Sequence, residues 1–127
     1  MNNIEEFGFL IGDDVCVNVK QRTIVRISLD SSVKNYTFSA AMLTDTSMNL
    51  LVYLLKNAND NLVTKEELLQ NIWDAHNLRS SNQRLWQVIK ELKAKLAVIA
   101  VPDEFLNTSR GQGYIIPRQQ IRTLYFG

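Results

Sequence analysis

The sequence holds one cysteine, Cys16, and one histidine, His76, among 127 residues. A lone cysteine forms no internal disulfide. Cys16 lies in an alternating apolar run, which reads as a buried, inert thiol and suits a reducing, cytoplasmic setting. A metal centre needs several ligands close together, and one histidine with one cysteine in an unrelated segment supplies neither that nor a nucleophile–base pair. His76 therefore reads as a solvated loop residue, and no catalytic residue, metal ligand or cofactor is expected. No uninterrupted apolar stretch nears the roughly 20 residues of a membrane span. The start, Met1 to Glu6, lacks the basic and apolar parts of a signal peptide. A large charge excess is missing as well: 14 basic against 13 acidic side chains leave a formal net charge of +1.

The distribution of charge is less even than the total. Residues 1–60 sum to −2, residues 61–78 again to −2, and residues 79–127 to +5. A charge run is usually a solvated face, so its meaning depends on whether the fold gathers it on one side. Hydrophobic residues make up 46% of the chain and charged residues 21%, which excludes global disorder and supports one domain with a real core.

The first 40 residues alternate like strands. Phe7–Ile11 is apolar and Gly12-Asp13-Asp14 signals a turn; Val15, Val17 and Val19 then alternate with polar neighbours, and Thr23–Leu29 is rich in β-branched residues. Tyr36-Thr37-Phe38 suits a fourth short strand, giving an antiparallel sheet with one buried face. Helical spacing follows. Thr44 is a candidate N-cap, and Met48, Leu51, Val52 and Leu55 fall at i, i+3, i+4 and i+7. Thr64-Lys65-Glu66-Glu67 has the form of a capping box, in which Thr64 and Glu67 each bond the other's backbone N–H, and Leu68, Leu69, Ile72 and Trp73 form the apolar face behind it. The carboxylates Glu66 and Glu67 sit in a first helical turn, where the dipole accounts for them.

A third helix begins at Ser80, Ser81 or Asn82. At about 100° per residue, Leu85, Ile89, Leu92 and Leu96 fall within about 60° of one another and read as core. Gln83, Gln87, Lys90 and Ala94 project opposite them, Arg84 and Glu91 flank that face, and Lys93 and Lys95 lie toward its two edges. Phe105–Thr108 and Tyr114–Ile116 are apolar segments around Ser109-Arg110-Gly111-Gln112-Gly113, a hairpin with Arg110 near its tip. Gly111 and Gly113 precede a strand and not a helix, so they read as turn residues and not as a phosphate-cradling loop. The polar tail after Pro117 is expected to leave the sheet.

Sheet, three helices and hairpin, in that order, suggest a helix-turn-helix followed by a wing. A helix with a polar outer face fits a major groove about 12 Å wide. Arg84, Gln87 and Glu91 carry donors and acceptors one turn apart. An arginine on a narrow hairpin fits the adjacent minor groove, and Lys90, Lys93 and Arg79 suit phosphate contacts.

These segments resemble the OmpR/PhoB-type winged helix, also found in ToxR-like activators. The resemblance is carried by Leu43-Thr44 opening the first helix and by Val63-Thr64-x-Glu66-Glu67-Leu68-Leu69-x-x-Ile72-Trp73. Leu85-x-x-x-Ile89-x-x-Leu92-x-x-x-Leu96 and Thr108-Ser109-Arg110-Gly111-Gln112-Gly113-Tyr114 complete it. It covers roughly residues 7–116, leaving 1–6 as an N-terminal extension and 117–127 as a C-terminal tail. It implies an α+β winged helix with an N-terminal four-stranded antiparallel sheet, three helices and a C-terminal β-hairpin wing. It also implies a bacterial transcription regulator that binds double-stranded DNA, often as two copies side by side on direct repeats. By position, Arg84, Gln87, Lys90 and Glu91 fall on the groove-facing part of the third helix, Lys93 at a phosphate, and Thr108 and Arg110 on the DNA-facing wing.

The sequence departs from the family pattern in places. Glu91 stands where a basic residue is common; it either accepts from cytosine N4 or pairs with Lys95 at i+4. Trp86 stands where the family often has an acid, and either packs on the preceding loop or meets DNA or a partner. No phosphoacceptor receiver domain and no membrane span accompany the match, which reads as a stand-alone regulator or as the DNA-binding part of a longer ToxR-like protein at the cytoplasmic face of the inner membrane. The near-neutral charge keeps a second reading open: a winged-helix interaction module for a co-regulator or RNA polymerase.

Overall fold

Short turns join β1 (Glu5–Ile11), β2 (Val15–Asn18) and β3 (Thr23–Asp30), and β4 (Asn35–Met42) completes an antiparallel run in which each strand pairs with the next. The computed structural model describes residues 5–30, 35–74, 81–109 and 111–126. One face of this sheet is the floor of the core, because the period-2 pattern sends Phe9, Ile11, Val15, Val17 and Ile24 inward. Cys16 alternates with Val15 and Val17 and so lies on the opposite face, half-buried and not in the core as expected; partial burial still pushes its thiol pKa up. The fourth strand runs well beyond Tyr36–Phe38 and leads almost directly into the first helix.

That helix, α1 (Asp45–Asn57), starts where Thr44 Oγ1 accepts from the Ser47 N–H at 3.1 Å. Its buried side, Met48, Leu50, Leu51, Leu54 and Leu55, joins the sheet residues in one hydrophobic cluster. The short strand β5 (Val63–Thr64) precedes α2 (Lys65–Leu68), which continues as a π-helical turn over Leu69–Trp73. Leu68, Ile72 and Trp73 are buried, the last with 1% of its surface exposed. Half of the expected capping box forms: Thr64 Oγ1 accepts from the Glu67 N–H at 3.1 Å. The Glu67 carboxylate turns away to accept from the Tyr53 hydroxyl on α1.

The long helix α3 (Asn82–Val98) is capped by Ser81, whose Oγ accepts from the Arg84 N–H at 3.0 Å. Leu85, Ile89, Leu92 and Leu96 are buried along one stripe, as their spacing requires. A 3₁₀ turn at Asp103–Phe105 leads to β6 (Asn107–Ser109) and β7 (Gly113–Ile115), the wing hairpin. Residues 75–80, His76 among them, lie outside the described residues, as does Arg110.

The segment after Pro117 does not leave the sheet. It returns as β8 (Ile121–Phe126) and pairs antiparallel with β1, making a five-stranded sheet in the order β4-β3-β2-β1-β8 where four strands were expected. The fold is otherwise the expected α+β winged helix, with three α-helices among the described residues.

Candidate nucleic-acid interface

The wing is tied to the start of α2. The strand β5 adds to the hairpin as a third strand, with Val63 opposite Tyr114 and Thr64 opposite Gly113. The Lys65 N–H donates to the Gln112 carbonyl at 3.2 Å, beside the hairpin tip. Gly113 permits this approach: a Cβ there would stand 2.1 Å from the Val63 carbonyl oxygen. It is therefore a close-contact glycine, whereas Gly111, at φ +75°, is the turn glycine. Tyr114, in β7, is buried, which pushes its hydroxyl pKa up.

On α3 the residues opposite the core stripe are in solvent. Gln83, Arg84, Gln87, Lys90, Glu91 and Ala94 are exposed, and Lys93 is half-buried. The two edges of this face meet different neighbours. One edge faces the wing, where Lys65, Trp86, Ile89, Lys90, Lys93, Thr108 and Tyr114 line a single cleft. The other edge faces the start of α1, where Glu91 and Lys95 line a second cleft with Arg22, Leu43 and Thr44. Lys90, Lys93 and Thr108 are thus brought together, and Glu91 lies across the helix from them. Glu91 and Lys95 share their cleft without forming an ion pair among the described residues. Arg79 and Arg110 fall outside the described residues.

Trp86 is 57% exposed, and Lys90 Nζ lies 4.9 Å from its ring centroid. That distance is within the range of a cation–π contact. The loop it was a candidate to pack on is outside the described residues, and more than half of the side chain stays in solvent. Lys65 was not singled out in the sequence, although a signal existed: a cation in the first turn of a helix opposes the macrodipole, which favours anions there.

The arrangement is therefore a polar helix face and a hairpin flanking a lysine-lined cleft. Residues 39–116 match the family model described as "Transcriptional regulatory protein, C terminal". The chain belongs to this family of OmpR/PhoB-type DNA-binding domains.

Solved members have the same fold. The DNA-binding domain of E. coli CadC superposes with a TM-score of 0.69 at 16% identity, over 94% of this chain and 98% of that one. The DNA-binding domain of E. coli CpxR gives 0.56 at 22% identity, over 88% and 98%. The AdeR DNA-binding domain, solved in complex with an intercistronic region, gives 0.53 at 18% identity, over 72% and 94%. No curated protein sequence matches this one. The OmpR/PhoB-type family is a class of transcription-regulator domains and not an enzyme class. Among the described residues, no helix is long and apolar enough to cross a membrane.

Proposed function

We propose that this domain reads double-stranded DNA with α3 in the major groove and the wing in the adjacent minor groove. DNA binding in transcription regulation follows from family membership; the docking is supported by one observation above the rest. The exposed face of α3 and the wing strand β6 border the same cleft, so both can engage one side of a duplex. Arg84 and Gln87 reach base edges as bidentate donors and acceptors, and Glu91, on the far rim, accepts from cytosine N4. Lys90 and Lys93 meet phosphates with Arg79, and these contacts fix the register. Thr108 and Arg110 bring the wing to the minor groove, whose negative potential favours a guanidinium. Two copies side by side on direct repeats fit a module of this size.

A salt titration tests the reading. With a duplex selected by the domain from a random-sequence pool, affinity falls steeply with salt, and the dissociation constant is on the order of 10⁻⁸ M or weaker for a lone module. Affinity that ignores salt, and that survives Lys93→Ala with Arg110→Ala, points instead to a protein partner such as a co-regulator or RNA polymerase. A footprint of the selected duplex reads out the repeat spacing.

A further inference from the structure

We infer that two further side chains, Lys65 and Trp86, touch the backbone strand that the docking above lays between α3 and the wing: Lys65 contacts a phosphate and Trp86 packs on a deoxyribose. The inference rests on the docking proposed above and adds two residues to it. Adjacent major and minor grooves are divided by one backbone strand. A helix in the first groove and a hairpin in the second must straddle that strand, and the space between them here is the cleft lined by Lys65, Trp86, Lys90, Lys93 and Thr108. Lys65, Lys90 and Lys93 line this one cleft, which suits a polyanionic strand.

Two details are otherwise unexplained. Lys65 opens a helix whose dipole disfavours a cation, and its half-buried side chain lines this cleft. Among the described residues no acidic side chain lines the cleft, and a phosphate there supplies the lysine's counter-charge. Trp86 leaves a large apolar ring in solvent on an otherwise polar face. The ring lies on the wing-facing edge, beside Lys90 and Lys93 and away from Arg84 and Glu91. The apolar surface a backbone strand offers at that edge is the deoxyribose, and a contact with it carries no sequence information. Lys90, whose Nζ lies over this ring, lines the same cleft.

The test uses the duplex selected from the random pool and an unrelated duplex of equal length, each with the full chain. Wild-type binding to both is read first; if neither binds with salt dependence, the docking itself fails and the inference falls with it. Given binding, Trp86→Ala weakens both duplexes by a similar factor, about tenfold for a large aromatic contact, and Trp86→Phe restores most of it. Lys65→Gln lowers the salt slope by about one on both duplexes. Trp73 is buried and Trp86 exposed, so acrylamide quenching of indole emission reports on Trp86 and decreases in the complex. Quenching unchanged by DNA, or affinity unchanged in Trp86→Ala, overturns the inference. A loss confined to the selected duplex also overturns it, by making Trp86 a base reader.

Discussion

The Tyr53 hydroxyl donates to the Glu67 carboxylate and so ties α1 to the first turn of α2. Burial, with the hydrogen bond and charge of Glu67 adding to it, pushes the Tyr53 pKa up from its ordinary value of 10.0 to about 12. A group whose pKa is raised on folding binds its proton more tightly in the folded state. Its contribution is complete below pH 10 and is lost as pH rises through 12. Thermal melts of the wild type between pH 9 and 12 should therefore show a decline that Tyr53→Phe lacks, over a background common to both. Parallel curves for the two proteins would remove Tyr53 as the cause.

Gly113 allows the wing to lie against β5. A methyl group at 2.1 Å from the Val63 carbonyl oxygen must displace backbone, not a flexible side chain. Gly113→Ala should cost about 2 kcal/mol or more in a denaturant melt and loosen the wing. Gly111→Ala strains a positive φ in open space and should cost about 1 kcal/mol. An equal, small loss at both positions would show that the wing does not depend on the β5 contact.

The helices were legible because their faces are written at fixed spacing. Leu85, Ile89, Leu92 and Leu96 needed no tertiary information to be placed inward, and Thr44 and Thr64 cap where their position suggests. Which edge of α3 faces the wing was not legible, since Lys93 and Lys95 are nearly symmetric about the stripe and only packing distinguishes them. That left Trp86 open and Lys65 unnoticed. The strand β5 is two residues long and exists through pairing with β7. The strand β8 was missed because Pro117 and the polar residues after it look like a tail. Ile121, Thr123 and Tyr125 have high strand propensity, but that signal is weak without a partner edge.

That partner edge is reached through Asn59. Its side-chain amide donates to the Gln119 carbonyl and its Oδ1 accepts from the Gln119 N–H, both at 2.9 Å. One side chain thus mimics a strand neighbour and aims the chain from β7 toward β1. Asn59→Ala leaves both backbone groups of Gln119 without these partners and should cost about 1–3 kcal/mol. Amide exchange along β8 and β1 should quicken more than exchange in α3. Uniform quickening across the molecule would mean that Asn59 supports the whole fold and not this connection.

Base readers and phosphate contacts predict different losses in one binding assay. Arg84 and Gln87 are exposed on α3 and carry bidentate groups. Replacing either with alanine should weaken the selected duplex by about 5- to 150-fold, the equivalent of one base contact, and leave an unrelated duplex nearly unaffected. Lys93 lines the cleft beside Thr108. Lys93→Ala should weaken both duplexes alike and lower the slope of log affinity against log salt by about one. Glu91 opposes phosphate at any sequence, so Glu91→Ala should raise affinity for the unrelated duplex while lowering discrimination at one cytosine. If Lys93→Ala altered only the selected duplex and Arg84→Ala weakened both equally, the two roles would be exchanged and α3 would lie in the groove rotated about its axis.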